Sequence, residues 1–166
     1  VQMNELGQLE TPILLTNTLS VGTVADGLVR YMLQANEEIG TTTGTVNPVV
    51  GECNDGYLND IRGLHVKKEH VWEAIAQADA HFAEGAVGAG TGMSLFRLKG
   101  GIGSSSRCLQ VGAEPYTVGV LVLGNFGLLP DLQIDGLPVG RRIVQLQQAG
   151  VEDPLGPRGQ VEEERG

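Results

Sequence analysis

The sequence predicts an α+β fold in which helices pack on a mostly aliphatic sheet. Three observations carry this expectation. Apolar residues recur at helical spacing in two stretches, between short aliphatic runs, in the order strand, helix, strand, helix and then several strands. Hydrophobic residues make up 41% of the chain and aromatic residues only 4%, so aliphatic side chains must fill the core. The chain has 166 residues, which suits one domain on a scale of about 100–200 residues each.

The elements follow in order. Residues 11–16 form a short apolar run around Pro12 and read as a buried strand. Ser20 offers an N-cap, and Val21, Val24, Ala25, Leu28, Val29, Met32 and Leu33 share one helical face that runs to about Asn36. Residues 41–44 are a polar turn, and 45–50 read as a strand with an edge-tolerant Pro48. Residues 51–60 are a polar, glycine-bounded loop. A second helix is expected over 67–84, with Val71, Ile75, Ala78 and Phe82 inward. Residues 93–98 alternate as a strand does, and 116–123 are almost continuously aliphatic, the pattern of a strand covered on both faces. Residues 131–147 read as a hairpin, with Asp135-Gly136 as the turn and 142–146 as the returning strand. A domain over 1–149 is then followed by a flexible acidic tail over 150–166, rich in Pro, Gly and Glu.

Charge and composition exclude whole classes of function. Eleven basic residues against twenty acidic ones give a net charge of −9. The longest basic runs are the pairs Lys67-Lys68 and Arg141-Arg142, too few to neutralise a phosphate backbone, so nucleic acid is not an expected partner. No apolar run approaches the ~20 residues that span a bilayer, so no membrane partner is expected either. The first ten residues are neither basic nor followed by an apolar core, unlike a signal peptide. Cys53 and Cys108 are too few for a disulfide framework and read as small buried apolar side chains. The 25 glycines are about twice the ordinary share of ~7%, without the period of three that collagen requires.

Common catalytic signatures are absent. Residues 88–93 (Gly-Ala-Gly-Thr-Gly-Met) lack the third glycine of a dinucleotide fingerprint and the lysine of a P-loop. They suit either tight packing between layers or backbone N–H groups lining a pocket. His65, His70 and His81 lack metal-ligand spacing and read as surface residues, and no metal or other cofactor is expected. Ser104, Ser105 and Ser106 sit in no strand–turn–helix elbow and have no histidine placed to activate them. The richest polar cluster is the loop holding Glu52, Asn54, Asp55, Tyr57, Asn59 and Asp60. Its carboxylates suit a cationic group such as a substrate amine, and an Asx-rich turn with solvated charges explains it equally well. Asn125 follows the most aliphatic strand, between Gly124 and Phe126-Gly127. An amide there can donate to a developing oxyanion or cap a turn in the left-handed region. A nucleophile is missing.

Several blocks taken together resemble the β-aminopeptidase family, the group of self-processing L-aminopeptidase/D-esterases and β-peptidyl aminopeptidases. They are residues 9–22, Asn47 to Glu52 with Asp55-Gly56, residues 88–93, Lys99 to Gly103, and residues 120–127. The resemblance covers nearly the whole chain apart from the tail. It implies an αββα four-layer sandwich, similar to the N-terminal-nucleophile hydrolases, completed by a partner β chain. In that family a precursor cuts itself at a Gly–Ser bond, and the new N-terminal Ser of the β chain becomes the nucleophile. The chain here would be an α chain without its N-terminal part, with Gly166 as the autoprocessing C-terminus. The resemblance further implies a homo-oligomer of αβ pairs acting on peptides or amino-acid amides. Separately, the cytoplasm is expected rather than the periplasm. Asn125 matches the catalytic asparagine of the oxyanion hole, and Glu52 the carboxylate that holds the substrate's free amine. Asn54 stands where some members place an aromatic residue that orients the acyl group, and Asp55 and Tyr57 complete the expected substrate-binding set. Two alternatives stand beside this reading: an acyltransferase subunit of the ornithine acetyltransferase type, which normally uses Thr, and a non-catalytic binding or assembly subunit.

Overall fold

A computed structural model describes residues 4, 5 and 7–150, and these fall into two compact units, one ending at Phe126 and the other beginning at Gly127. The expected tail over 151–166, Gly166 included, lies outside the described residues.

The first unit opens with a strand–helix–strand crossover. β1 (Ile13–Asn17) and β2 (Val49–Cys53) pair in parallel, with Ile13 opposite Val49, Thr16 opposite Glu52 and Asn17 opposite Cys53. Parallel neighbours need a long connection, and α1 (Val21–Ala35) supplies most of it. The second strand starts four residues later than expected and ends three later. Residues 45–48 have no strand partner, and Asn47 instead donates from its backbone and side chain to the Glu10 carboxylate. Pro48, which cannot donate to a ladder, stands just outside, while Gly51, Glu52 and Cys53 are strand rather than loop because β1 extends opposite them.

α1 confirms the expected apolar face, with Val24 and Leu28 buried, except at its last turn, where Leu33 is exposed. Its start differs from expectation. Ser20 precedes the helix but makes no side-chain cap bond. Instead Asn17 caps a 3₁₀ turn, Thr18–Ser20, by accepting from the Ser20 N–H at 3.0 Å. Gly27 is buried as well, because a Cβ there would stand 2.9 Å from Val71 Cγ2. That close approach seats α2 (Lys68–Ala76) on α1. Val24, Leu28 and Val71 form the core, with Leu14, Tyr31, Met32, Val50, Trp72 and Ile75 packed around them. Outside it, Lys68 and Arg30 both pair with Asp26, hydrogen bonds that hold its carboxyl below the usual carboxylate range.

α2 ends eight residues before the expected Glu84. Asp79 accepts from the His81 N–H at 2.8 Å, a local turn that competes with the helical ladder. Phe82, expected inward, is exposed. Residues 93–98 are likewise not one strand. Ser94–Leu95 (β3) and Leu98–Lys99 (β4) fold back on each other through Phe96 and Arg97, both with positive φ (52° and 64°). Two positive φ values match the twist of a two-residue hairpin.

β5 (Gly101–Val111) and β6 (Glu114–Gly124) form a long antiparallel hairpin whose register runs from Gly101 opposite Gly124 to Val111 opposite Glu114. Ser104, Ser105 and Ser106 lie within β5. The aliphatic strand is present as expected, but this chain does not cover it: Val118, Val120, Leu121 and Val122, from both faces, are each about half exposed. Cys108, expected to be buried, is exposed on the same hairpin, and Cys53 is half-buried; both are free thiols.

In the second unit the Asp135-Gly136 turn forms as expected, with positive φ at both residues and Ile134 bridged to Leu137. The returning strand does not. Residues 142–146 belong to α3 (Val139–Gln148). Val139 and Ile143 are both half-buried at i, i+4 spacing, which outweighs the β-branched run. Gly140 is buried because a Cβ would fall 1.7 Å from the Leu129 carbonyl oxygen.

Gly140→Ala is therefore expected to destabilise the protein by about 2 kcal/mol or more, although alanine is the better helix former by about 1 kcal/mol. Gly22→Ala in α1, where nothing lies within 4 Å, is expected to be neutral or stabilising by up to about 1 kcal/mol. Thermal unfolding of the two variants checks the contrast.

Candidate active site

The site forms where β1, β2 and β6 end together. Parallel pairing carries β2 as far as Cys53, whose thiol lies 3.7 Å from the Leu123 carbonyl oxygen near the end of β6. Burial, reinforced by the neighbouring Glu52 charge, pushes the Cys53 thiol above its ordinary range, so it stays protonated at neutral pH.

Past these strand ends stands Asn125. Its Oδ1 accepts from the Ser94 N–H and its Nδ2 donates to the Asn54 carbonyl, both at 2.9 Å. These two bonds define the orientation of the amide. Nδ2 carries two hydrogens, and the second has no hydrogen-bond partner among the described residues. Such a preoriented donor loses little on meeting a developing negative charge.

Glu52, on β2, has an exposed side chain, and its Oε2 accepts from the Thr18 hydroxyl. Thr18 lies on the 3₁₀ turn after β1. The next residues turn sharply: Asn54 Oδ1 accepts from the Gly56 N–H at 2.9 Å. Asp55 points inward and is 6% exposed. Its Oδ2 accepts from Asn59 Nδ2 at 2.9 Å and Asn17 Nδ2 at 3.3 Å, while Oδ1 is buried without a partner. Gly92 has to be small here, since a Cβ would lie 2.7 Å from that of Asp55. Asn17, Asp55 and Asn59 also line a cavity of about 640 Å³ with Leu15, His65 and His70.

Tyr57 is 69% exposed, with the Arg97 guanidinium 5.6 Å from its ring centroid. The tight hairpin that presents Arg97 is held by the Phe96 N–H, which donates to the Phe126 carbonyl at 2.7 Å, and by edge-on contact between the two phenyl rings. The glycine-rich stretch 88–93 packs tightly: a Cβ on Gly90 would fall 2.5 Å from the Gly85 carbonyl oxygen. Lys99 Nζ donates to the carbonyls of Gly90, Met93 and Gly100. Among the described residues no group of three His, Cys, Asp or Glu is placed to hold a metal ion, and no helix is long and apolar enough to cross a membrane.

Of the expected residues, Asn54 and Asn125 are thus in direct contact, with Glu52 two residues before Asn54, on the strand that leads into its loop. Asp55 turns to the interior side of the loop and Tyr57 to its exposed side. Sequence reasoning passed over Asn17 and Thr18. Their signal was an Asn-Thr pair at a strand–helix joint, ahead of the Ser20 that was assigned the cap.

The profile of peptidase family S58 matches residues 1–163. The chain belongs to this family. A β-peptidyl aminopeptidase, BapA of Sphingosinicella microcystinivorans, is 44% identical over 144 residues, which is 86% of this chain and 35% of that protein. The PH0078 protein from Pyrococcus horikoshii OT3 superposes with a TM-score of 0.83 at 64% identity, over 86% of this chain and 40% of that one. The L-aminopeptidase D-Ala-esterase/amidase of Ochrobactrum anthropi, described as a prototype of the serine aminopeptidases and a variant of the Ntn hydrolase fold, gives a TM-score of 0.73 at 37% identity, over 77% of this chain and 36% of that one. The S58 chain described here spans about a third of its curated relative.

The buried Asp55 carboxylate yields a direct expectation. Asp55→Ala leaves two amide groups without their acceptor and is expected to cost about 2–3 kcal/mol of stability. Asp55→Asn keeps one acceptor oxygen for them and is expected to cost less than half as much. Denaturant unfolding of both variants checks this, and equal losses would mean that the charge itself is required.

Proposed function

We propose that this chain is the α chain of a self-processed serine aminopeptidase, which releases N-terminal α- or β-amino acids from peptides, amides or esters. The contact between Asn125 and the Asn54 carbonyl carries the reading, because it sets an oriented amide donor beside the strand that bears Glu52. The nucleophile is a Ser at the N-terminus of a partner β chain, freed by self-cleavage of a common precursor. An N-terminal Ser needs no histidine, since its own α-amine or nearby polar groups take its proton. Its oxygen attacks the scissile carbonyl, whose oxygen becomes an oxyanion and receives the second Nδ2 hydrogen of Asn125. Collapse expels the amine or alcohol, which takes up the proton, and water then releases the acyl group. Glu52 pairs with the substrate ammonium and so confines cleavage to a chain end. Asn54 and Tyr57 shape the acyl side, and Asp55 braces the loop between them.

The partner also completes the architecture in this reading. An αββα sandwich covers the exposed aliphatic faces of β5 and β6, and αβ pairs assemble further into a homo-oligomer. The expected compartment is the cytoplasm. No cofactor is required.

Intact mass spectrometry of the full-length protein, with N-terminal sequencing of every chain, tests the assignment. A second chain beginning with Ser in equal amount is expected. A chain beginning with Thr points to acyl transfer of the ornithine acetyltransferase type, and the absence of a second chain favours a binding subunit.

Steady-state kinetics on an amino-acid amide tests the roles. Asn125→Ala is expected to lower kcat by about 10²–10³, roughly 3 kcal/mol. Glu52→Gln is expected to raise KM for substrates with a free amine and to improve the relative rate on N-acylated ones.

A further inference from the structure

We infer that Thr18 is a positioning residue for Glu52, held in place by Asn17 and the buried carboxylate of Asp55. The inference rests on the proposed role of Glu52 as the amine anchor. Glu52 is exposed, with several side-chain torsions to lose when it binds an ammonium group. The Thr18 hydroxyl donates to Oε2 alone, and Oε1 has no hydrogen-bond partner among the described residues. One oxygen is therefore tied back while the other remains for an incoming cation. The donor's chemistry matters. A hydroxyl orients a carboxylate without neutralising it, whereas Lys or Arg in its place would compete with the substrate ammonium.

Thr18 can act this way because its own position is defined from beneath. It begins the 3₁₀ turn Thr18–Ser20, which Asn17 caps through its Oδ1. The other end of the Asn17 amide donates to Asp55 Oδ2, which Asn59 also holds. Reversal of the Asn17 amide would set its NH2 against the Ser20 N–H and its oxygen against a carboxylate, so both contacts select one orientation. A chain of contacts thus runs from Asp55 through Asn17 and the turn to Thr18, and ends on Glu52. In this arrangement Asp55 serves the amine site from inside the fold.

The test uses the full-length protein, with an amino-acid amide and its analogue bearing a hydroxyl in place of the α-amine. Thr18→Val keeps the branched shape and replaces the hydroxyl with a methyl group. It is expected to raise KM for the amine substrate by about three- to tenfold, with kcat within about twofold and KM for the hydroxyl analogue unchanged. Thr18→Ser is expected to restore KM to within about twofold of the parent. Should Thr18→Val fail to accumulate, Thr18→Ala compared with Thr18→Ser makes the same measurement. A purely structural role would lower the melting temperature and leave the two substrates equally affected. An unchanged KM in Thr18→Val, alongside a raised KM in Glu52→Gln, overturns the inference alone. If Glu52→Gln itself leaves KM unchanged, the amine-anchor reading falls first and the inference falls with it.

Discussion

A carboxylate buried as deeply as Asp55 must be met by donors, because an ionised group taken out of water without partners costs several kcal/mol. The structure meets this demand at Oδ2 with two amides, while Oδ1 stays buried without a partner. Asn17 comes from the β1–α1 joint, 38 residues earlier in the chain, and Asn59 from one turn further along the same loop. The demand also reaches Gly92, which has no room for a side chain beside Asp55 and Asn59. Three distant segments are thereby brought to one point, and the exposed groups of the site are placed from there. The turn after β1 aims Thr18 at Glu52, and the loop after β2 presents the Asn54 carbonyl to Asn125.

Asn125 makes the second tie, joining Ser94 to Asn54. Near it the backbone is strained: Phe96 and Arg97 both occupy the left-handed region, at roughly 1–2 kcal/mol each. Glycine or asparagine would relieve the turn but would remove the ring that meets Phe126 and the guanidinium that meets Tyr57. Strain of this kind persists where its surroundings over-determine it. Here the Phe96 N–H bond to Phe126 and the ring contact do so.

How far the sequence could be read depended on how local each cause was. α1 was legible because Val24, Leu28 and their neighbours repeat at helical spacing within the helix itself. α2 was overextended because Ala78 and Phe82 continue its period, while the Asp79 side chain that ends it acts through a bond that periodicity does not record. α3 was taken for a strand because Arg142 to Leu146 is short and β-branched at its centre; Val139, one turn earlier, supplies the helical period. Glu52 was placed in a loop because its strand partner, Thr16, lies 36 positions away. For the site, Glu52 and Asn125 stood out through family resemblance, with the chemistry of their side chains in agreement. Asn17 and Thr18 did not, since their partners Asp55 and Glu52 lie 38 and 34 residues on.

The β5–β6 hairpin places Asn125 under a condition of alignment. Strand pairing repeats every two residues, so a slip of one position reverses every side chain and shifts the strand by about 3.3 Å. Such a shift would carry Asn125 out of reach of the Asn54 carbonyl, now 2.9 Å away. The apolar faces offer little protection, because within this chain both are exposed and neither alignment is favoured by burial. What indexes the ladder is its two ends. Gly112, with φ 65°, sets a two-residue turn at the tip. At the base Gly85 exchanges two backbone hydrogen bonds with Ile102, at 2.7 and 2.9 Å. Gly85 thus works as a detent, a catch about 30 Å from the tip that holds β5 at its base. A chain caught one notch away would keep its strands and lose the tie between Asn125 and Asn54.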